Sequence, residues 1–168
     1  KTASALTVAI KEAIEKDKRV FFLTNRHTQH QIAVSTLKEM KRTTGTNITC
    51  VDLIGKRWMC NQEVAGLFGN EFNEYCKSIV NKGECEYYNK VYKKKKELSV
   101  EAKFGIVKLK EKSPMDNEEL QTFCKQENFC SYEMSLTLAK KADIIIGDYY
   151  YLFNPVVSGT ILQKLGIK

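Results

Sequence analysis

The sequence lacks the features that mark a membrane protein or an exported one. No apolar run approaches the roughly 20 residues that a membrane-spanning helix needs. Lysines and glutamates interrupt the apolar stripe at residues 3–14, so this stripe does not have the form of an export signal. Internal repeats and low-complexity linkers are absent as well. We therefore expect a globular protein of the cytoplasm that has no membrane partner.

Closely spaced cysteine pairs are also missing, although they are typical of structural zinc sites and ferredoxin-type iron–sulfur sites. The six cysteines stand instead at positions 50, 60, 76, 85, 124 and 130. Without an export signal, metal binding or catalysis is favoured over a disulfide framework. Spacing alone leaves two interpretations open, a site with four thiolate ligands and a set of buried core cysteines.

Positive charge is plentiful and unevenly distributed. The formal net charge is +7, and residues 77–112 alone hold eleven lysines against five glutamates. A basic block of this kind is typical of proteins that bind a polyanion such as nucleic acid. The alternative interpretation is an ordinary solvated helix face.

Helical and strand periodicity alternate at both ends of the chain. The predicted elements there are helices at 3–14, 28–45 and 132–141, and strands at 19–24, 47–53 and 142–148. Residues 57–128 break the alternation, since they are rich in Cys and Lys and poor in strand signals. We therefore predict an α/β fold in which residues 1–56 and 129–168 form a parallel sheet with its helices. Residues 57–128 are predicted to be a mainly helical domain inserted into it.

Finer signals place the limits of individual helices. Thr28 is a candidate N-cap of the second helix, which should end near Gly45. The inner side of this helix is predicted to carry Ile32, Val34, Leu37 and Met40. Inside the insertion, helices are predicted at 71–80, 86–98 and 117–127. The last of these is preceded by the stretch 113–116, which ends in Asp116 and leads into Glu118 and Glu119 in the manner of a capping box.

The inserted segment has few aliphatic side chains, so its own core should be thin. Domains this small commonly need a staple, which in a reducing compartment is a metal or a cluster. A cluster suits widely separated thiolates because each iron needs one protein ligand. Cys50 lies in a predicted strand and is expected to fill the core, whereas Cys124 and Cys130 both remain possible as the last ligand.

Six short motifs follow one another along the chain. They are Lys1-Thr2, LTNRHTQ at 23–29, GKRWMC at 55–60, GECEYY at 83–88, FCSYE at 129–133 and ADIIIGDYYYLFNP at 142–155. In this order they resemble the XPD family of iron–sulfur helicases, superfamily 2 enzymes that include the bacterial DinG proteins. The likeness covers the entire chain and is greatest to archaeal members.

The resemblance implies a set of cluster ligands. Cys60, Cys76, Cys85 and Cys130 stand where the family binds a 4Fe–4S cluster. Cys130 is preferred over Cys124 because the residues around it are similar to the family's fourth-cysteine motif. The cluster is expected to staple the inserted domain, with electron exchange as the alternative role.

The resemblance also implies contacts with ATP and DNA. Lys1 and Thr2 resemble the end of a Walker A loop, whose Lys contacts phosphates and whose Thr binds Mg²⁺. Arg26 follows a predicted strand as in helicase motif Ia, which holds the DNA backbone. Lys56 and Arg57 are expected to follow the backbone, and Trp58 to stack on bases. For Tyr149–Tyr151, packing at a domain interface is favoured over stacking, and His27 is expected at the surface.

Taken together, the resemblance implies part of RecA-like motor domain 1 of an ATP-dependent 5′→3′ DNA helicase in nucleotide excision repair. We expect a monomer that acts on single-stranded and forked DNA, in the cytoplasm of an archaeal-like cell or the nucleus of a eukaryote. The acidic helicase box and the second motor domain are missing, so this piece alone should neither hydrolyse ATP nor unwind DNA. The alternative is a non-enzymatic DNA-binding module held by zinc; a redox carrier has little support.

Overall fold

A small parallel sheet lies at the centre of the protein. In the computed structural model, which describes residues 2–16, 18–64, 66–93 and 97–167, three strands pair in the order β1-β3-β2. The strands are β1 (Val20–Thr24), β2 (Cys50–Leu53) and β3 (Ile144–Asp148). All pairing is parallel, with Ile144 opposite both Val20 and Cys50. The predicted α/β class with a parallel sheet is confirmed, although β2 begins three residues later than residue 47.

Helices follow and precede the strands as the alternation predicts. Their bounds are α1 (Thr2–Glu15), α2 (His27–Thr44), α3 (Gly69–Asn81), α4 (Glu86–Val91), α5 (Val100–Lys112), α6 (Asn117–Gln126), α7 (Ser131–Ala139), α8 (Tyr150–Phe153) and α9 (Pro155–Leu165). The start of α6 is as predicted, because Asp116 accepts the Glu119 N–H and the Glu119 side chain accepts the Asp116 N–H. Gly45, at φ 68°, ends α2 in the left-handed conformation that glycine adopts readily.

Some predicted helix limits are wrong. Residues 86–98 are not one helix, because α4 ends at Val91 and Tyr92 then pairs with Leu98 in an antiparallel bridge. Thr28 is not a cap, since Arg26 occupies the N-cap position of α2 and makes no side-chain capping bond. Ile32 was expected on the inner side of α2 but is exposed, as is Val8 on α1.

Helices α5 and α9 were not predicted at all. In α5 the buried residues are Ala102, Gly105 and Leu109. Three other apolar side chains of α5, at Val100, Phe104 and Val107, are exposed. Because the apolar residues do not gather on one face, the periodicity that signals a helix is weak here.

The two faces of the sheet are covered by different helices. Side chains of Cys50, Ile144 and Ile146 pack with α1 and α2, in a core that includes Leu6 and Leu37. The intervening side chains point the other way, into a second core formed with α5, α6, α7 and α9. Both faces are therefore buried, as parallel sheets require.

The second core crosses the predicted limit between the inserted segment and the sheet. Leu109 and Phe123 lie before residue 129, and they share this core with Phe129, Met134 and Leu138. The limit at residues 128–129 stays a prediction. The expected thin core holds for only one half of the segment, since α3 buries a single residue, Phe72.

Candidate metal centre and nucleic-acid surface

Four cysteines that are far apart in sequence lie around one small cavity. Cys60, Cys76, Cys85 and Cys130 all line a space of about 20 Å³, together with the side chain of Lys56. Each comes from a different piece of local structure. Cys60 follows the turn after β2, Cys76 lies within α3, and Cys85 and Cys130 occupy the N-cap positions of α4 and α7.

Hydrogen bonds next to the cysteines hold these pieces together. Asn61 donates its side-chain N–H to the Phe129 carbonyl at 2.8 Å and accepts the Ser131 hydroxyl at 3.0 Å. It therefore ties the residue after Cys60 to both neighbours of Cys130. The Cys130 N–H in turn donates to the carbonyl of Tyr87 at 3.0 Å, two residues after Cys85. Hydrogen bonds of the Asn61 side chain and of the Cys130 backbone thus bring the segments around three of the cysteines together.

The thiols share one electrostatic environment. Burial raises the pKa of Cys60, with further increases from Cys76 and Cys85 and opposite effects from the Gln62 N–H and Lys56. Burial also raises the pKa of Cys130 to about 12. Such thiols become thiolates only beside a strong positive charge, and a bound metal supplies one.

Lys56 supplies an ammonium group to the lining of this site. Burial lowers its pKa, but the hydrogen bond and charge of Cys76, with Glu133 and Cys130 beyond, outweigh burial and raise it. The Lys56 nitrogen also lies 5.6 Å from the centroid of the Tyr132 ring. A permanent positive charge at this position favours an anionic, thiolate-ligated group in the cavity.

Thiolate ligands suit either a single zinc ion or an iron–sulfur cluster. Among the described residues, no three His, Cys, Asp or Glu side chains are placed to hold one metal ion. A zinc ion with bonds of about 2.3 Å would hold its four sulfurs within about 3.8 Å of one another. Cysteine ligands of a cluster stand farther apart, because each iron takes one of them. The four thiols that line the cavity supply donors of the type that a cluster takes.

The other two cysteines do not line the cavity. Cys124 is fully buried in the core between the sheet and α5–α7, and burial raises its pKa to about 12. Cys50 is fully buried on the opposite face of the sheet. The structure thus separates Cys124 from the cavity and places Cys130 in it; that Cys130 is a ligand stays a prediction.

The predicted DNA contacts lie mainly where strands end. Arg26 is exposed just after β1, and Lys56 is half-buried just after β2. Because the strands are parallel, these two basic residues follow the same edge of the sheet. Trp58 is 61% exposed, and the Arg57 guanidinium lies 4.9 Å from the centroid of its ring.

The positions of the other predicted residues say less about ATP or DNA binding. Thr2 is half-buried at the start of α1, and Lys1 lies outside the described residues. Of the three tyrosines after β3, Tyr151 is buried, whereas Tyr149 and Tyr150 are exposed. Packing is therefore observed only for Tyr151. His27 is exposed, as expected.

Comparison with known proteins decides the family. The DEAD_2 family matches residues 22–166, most of the chain. The chain belongs to the DEAD_2 family. DEAD_2 is the domain of XPD- and Fanconi-J-like iron–sulfur helicases, so the expected family of ATP-dependent DNA helicases is confirmed at this level, without singling out XPD.

A curated relative is the Fanconi anemia group J protein homolog of Gallus gallus. It is 26% identical to this DEAD_2 chain over 142 residues, which are 83% of the chain. They are only 11% of the relative, so the chain spans about a ninth of that protein's length. In the part of the DEAD_2 chain that the structure describes, no helix is both long and apolar enough to cross a membrane.

One buried polar group of this DEAD_2 chain was missed by the sequence interpretation. His30 and Asp52 are both fully buried, and His30 Nδ1 lies 2.5 Å from Asp52 Oδ1. The other ring nitrogen lies 3.5 Å from Asp148, and Asn117 donates two hydrogen bonds to Asp52. Burial lowers the pKa of His30, but the two aspartates outweigh it and raise it.

This group joins α2, β2, β3 and α6 at the carboxyl end of the sheet. A signal for it was present in the sequence, because His30 precedes Ala33, Val34 and Leu37 at the spacing of a buried helix face. A histidine on such a face needs a buried partner, and Asp52 is the carboxylate in the adjacent strand.

Proposed function

We propose that this chain is part of the motor of an ATP-dependent 5′→3′ DNA helicase, and that Cys60, Cys76, Cys85 and Cys130 bind a 4Fe–4S cluster. One observation carries the proposal: Cys60, Cys85 and Cys130 of the family motifs line a single cavity together with Cys76, while Cys124 and Cys50 do not. The basic residue Lys56 lies in the same cavity and offsets the negative charge of thiolate ligands.

The role proposed for the cluster is structural. When bound, it would cross-link the turn after β2, α3, α4 and the start of α7. This is where apolar packing is weakest, since α3 buries only Phe72. The protein's own contribution is to hold the segments around Cys60, Cys85 and Cys130 together through Asn61 and the Tyr87 carbonyl. Electron exchange with the cluster is not needed to explain any of these contacts.

The motor proposal concerns the full-length protein. Residues 1–56 and 129–168 would form part of RecA-like motor domain 1, with Lys1 and Thr2 at ATP and Mg²⁺. Arg26, Lys56 and Arg57 would hold the backbone of single-stranded DNA while the motor domains close on ATP. The cysteine-bearing segment would then stand as a wedge at the strand junction, in a role in DNA repair such as nucleotide excision.

Strand-displacement assays on the full-length protein test the motor proposal. Duplexes with a 5′ single-stranded tail should be unwound in an ATP-dependent manner, and duplexes with only a 3′ tail should not. The Arg26→Ala variant should need more single-stranded DNA for half-maximal ATP hydrolysis while keeping its iron, because Arg26 is exposed and far from the cysteines in the chain. Unwinding from 3′ tails alone, or none from either, would contradict the proposal.

A further inference from the structure

Two large aromatic rings project into solvent near the candidate cluster site. Trp58 is 61% exposed and Phe68 is 73% exposed. Both rings lie against one guanidinium, with Arg57 Cζ 4.9 Å from the centroid of Trp58 and 5.7 Å from that of Phe68. Although ten residues separate them in sequence, the two rings therefore belong to one surface patch.

The backbone under each ring is held in place. The Trp58 N–H donates to the Gly55 carbonyl at 2.9 Å, and the Trp58 carbonyl accepts from the Gln121 side chain at 2.9 Å. Phe68 occupies the N-cap position of α3, where its N–H donates to Glu71 at 3.1 Å. The rings thus project from anchored positions, and this lowers the entropy lost when a ligand binds them.

A role in the core does not account for these rings. Met59, next to Trp58, is fully buried, and Phe72, one turn along α3 from Phe68, is 2% exposed. These neighbours supply the packing, while Trp58 and Phe68 remain outside it. Large apolar side chains that stay exposed together are typical of a binding surface.

We propose that Trp58 and Phe68, bridged by Arg57, form a platform on which the bases of single-stranded DNA stack. Aromatic faces with a guanidinium beside them are the features by which proteins bind single strands without reading sequence. The net charge of +7 and the neighbouring Lys56 favour a polyanion over an apolar protein partner. The inference rests on the proposed function and adds Phe68 to it.

Stacking on bases and contact with phosphates predict different effects of salt and of base removal on the affinity for DNA. Phosphate contacts weaken with salt and do not need bases. Stacking needs bases, tolerates any sequence, and is worth about 1–3 kcal/mol per base, or roughly 5- to 150-fold in affinity. A strand of the same length built from abasic sites separates the two, because it keeps every phosphate and has no ring to stack.

Fluorescence anisotropy with the full-length, cluster-loaded protein tests the platform. Phe68→Ala should weaken binding of a mixed-sequence single strand by about fivefold or more, while binding of the abasic strand stays unchanged. Phe68→Tyr should restore binding because it keeps the ring. Phe104→Ala is the matched control, since Phe104 is 66% exposed on α5, outside the patch.

A second variant guards against an indirect effect at Phe68. Trp58→Ala should cause a loss of similar size on the mixed-sequence strand and none on the abasic strand, with iron content unchanged in both variants. Equal affinity of wild type and Phe68→Ala for the mixed-sequence strand would overturn the platform and leave the motor proposal standing. Equal weakening of the abasic strand would overturn it too. Absence of any single-strand binding by wild type would overturn both.

Discussion

Two neighbouring regions are built in opposite ways, the cysteine-bearing part of the predicted insertion and the α5–α7 block, which continues past the predicted end of the insertion at residue 128. The cysteine segment, residues 57–92, contains α3, in which one of thirteen residues is buried. The α5–α7 block, residues 100–139, ends in α7, in which eight of nine residues are buried. Three of the four candidate ligands lie in the cysteine segment, and the fourth, Cys130, is the N-cap of α7. The candidate ligands therefore lie mainly in the region that has fewer buried apolar side chains.

This difference has a simple energetic reading. Ordering the backbone of one residue costs about 1–2 kcal/mol, whereas burying a large apolar side chain contributes about 1.5–3 kcal/mol. Helix α3 has one such side chain, Phe72, so burial alone falls well short of ordering it. A group that binds only the folded state adds its binding free energy to stability. We infer that the cysteine segment depends on the cluster and that the α5–α7 block does not.

The largest expected effect follows removal of the metal site. Cys76→Ser, or chelation of the metal, should abolish amide protection in α3 and α4, because their opening free energy falls toward zero. Protection in β1, β3 and α7 should persist, since these elements are held by the apolar cores. Hydrogen exchange read by mass spectrometry measures both regions in one experiment.

The control for that experiment is Cys124→Ala. Cys124 is as buried as any cysteine of the chain but does not line the cavity, so protection in α3 and α4 should remain. If Cys76→Ser leaves α3 and α4 protected, the cysteine segment folds without the cluster, and the proposed difference between the two regions is contradicted.

A substitution in the sheet should lower the stability of the whole fold and leave the cluster bound, the opposite of the result expected at the cysteines. Asp52→Ala leaves the His30 ring and two Asn117 donors without their acceptor in a buried site. Breaking a buried pair in this way costs about 3–5 kcal/mol. Urea unfolding followed by circular dichroism should show this loss, while the folded protein keeps its iron. Glu39→Ala, which breaks an exposed pair with Arg42 on α2, should leave the transition where it is.

A smaller effect is expected at the contact between α5 and α7. A Cβ on Gly105 would lie 2.8 Å from the Phe129 ring and 2.9 Å from the Met134 methyl group. Alanine usually improves a helix by about 1 kcal/mol, but overpacking costs about 1–3 kcal/mol, so Gly105→Ala should destabilise by up to about 2 kcal/mol.

Gly159→Ala is the matched control for that substitution. Gly159 lies inside α9, and a Cβ there would meet nothing within 4 Å. The control should therefore raise the free energy of unfolding by about 1 kcal/mol. A stabilising Gly105→Ala, measured by thermal unfolding, would show that the α5–α7 contact is looser than the structure indicates.

The smallest expected effect is a dependence of stability on pH. The pKa of His30 is raised in the folded state above its unfolded value of about 6.5 by Asp52 from β2 and Asp148 from β3, with His27 the other nearby titratable ring. Its stabilising contribution is complete below the unfolded pKa and is lost as pH rises through the folded pKa. Unfolding midpoints should therefore fall as the pH rises above about 6.5 and through the folded pKa of His30. The His30→Gln variant should show less of this fall.

Much of the sheet was predictable because its signals are local. The run from Ala142 to Asp148 has the strongest strand signal of the chain, and Gly45 ends α2 as glycine commonly does. The α5 helix was missed because Val100, Phe104 and Val107 face solvent, so its sequence lacks an amphipathic stripe.

Local sequence signals could not predict that the four cysteines lie around one cavity. It depends on the path of the chain through α3 and α4 and on Asn61, whose partners lie about seventy residues away. Motif resemblance supplied Cys60, Cys85 and Cys130, Cys76 then filled the remaining position of the family's pattern, and spacing alone supplied none of them. The His30 pair was missed for a related reason, because its partner Asp52 comes from another element.

The most direct test of the central claim is the iron and acid-labile sulfide content of anaerobically purified protein. About four irons and four sulfides per chain are expected in the wild type and in Cys124→Ala. Serine in place of Cys60, Cys76, Cys85 or Cys130 should in each case remove most of both. One zinc without sulfide would contradict the account, as would loss of iron in Cys124→Ala with retention in Cys130→Ser.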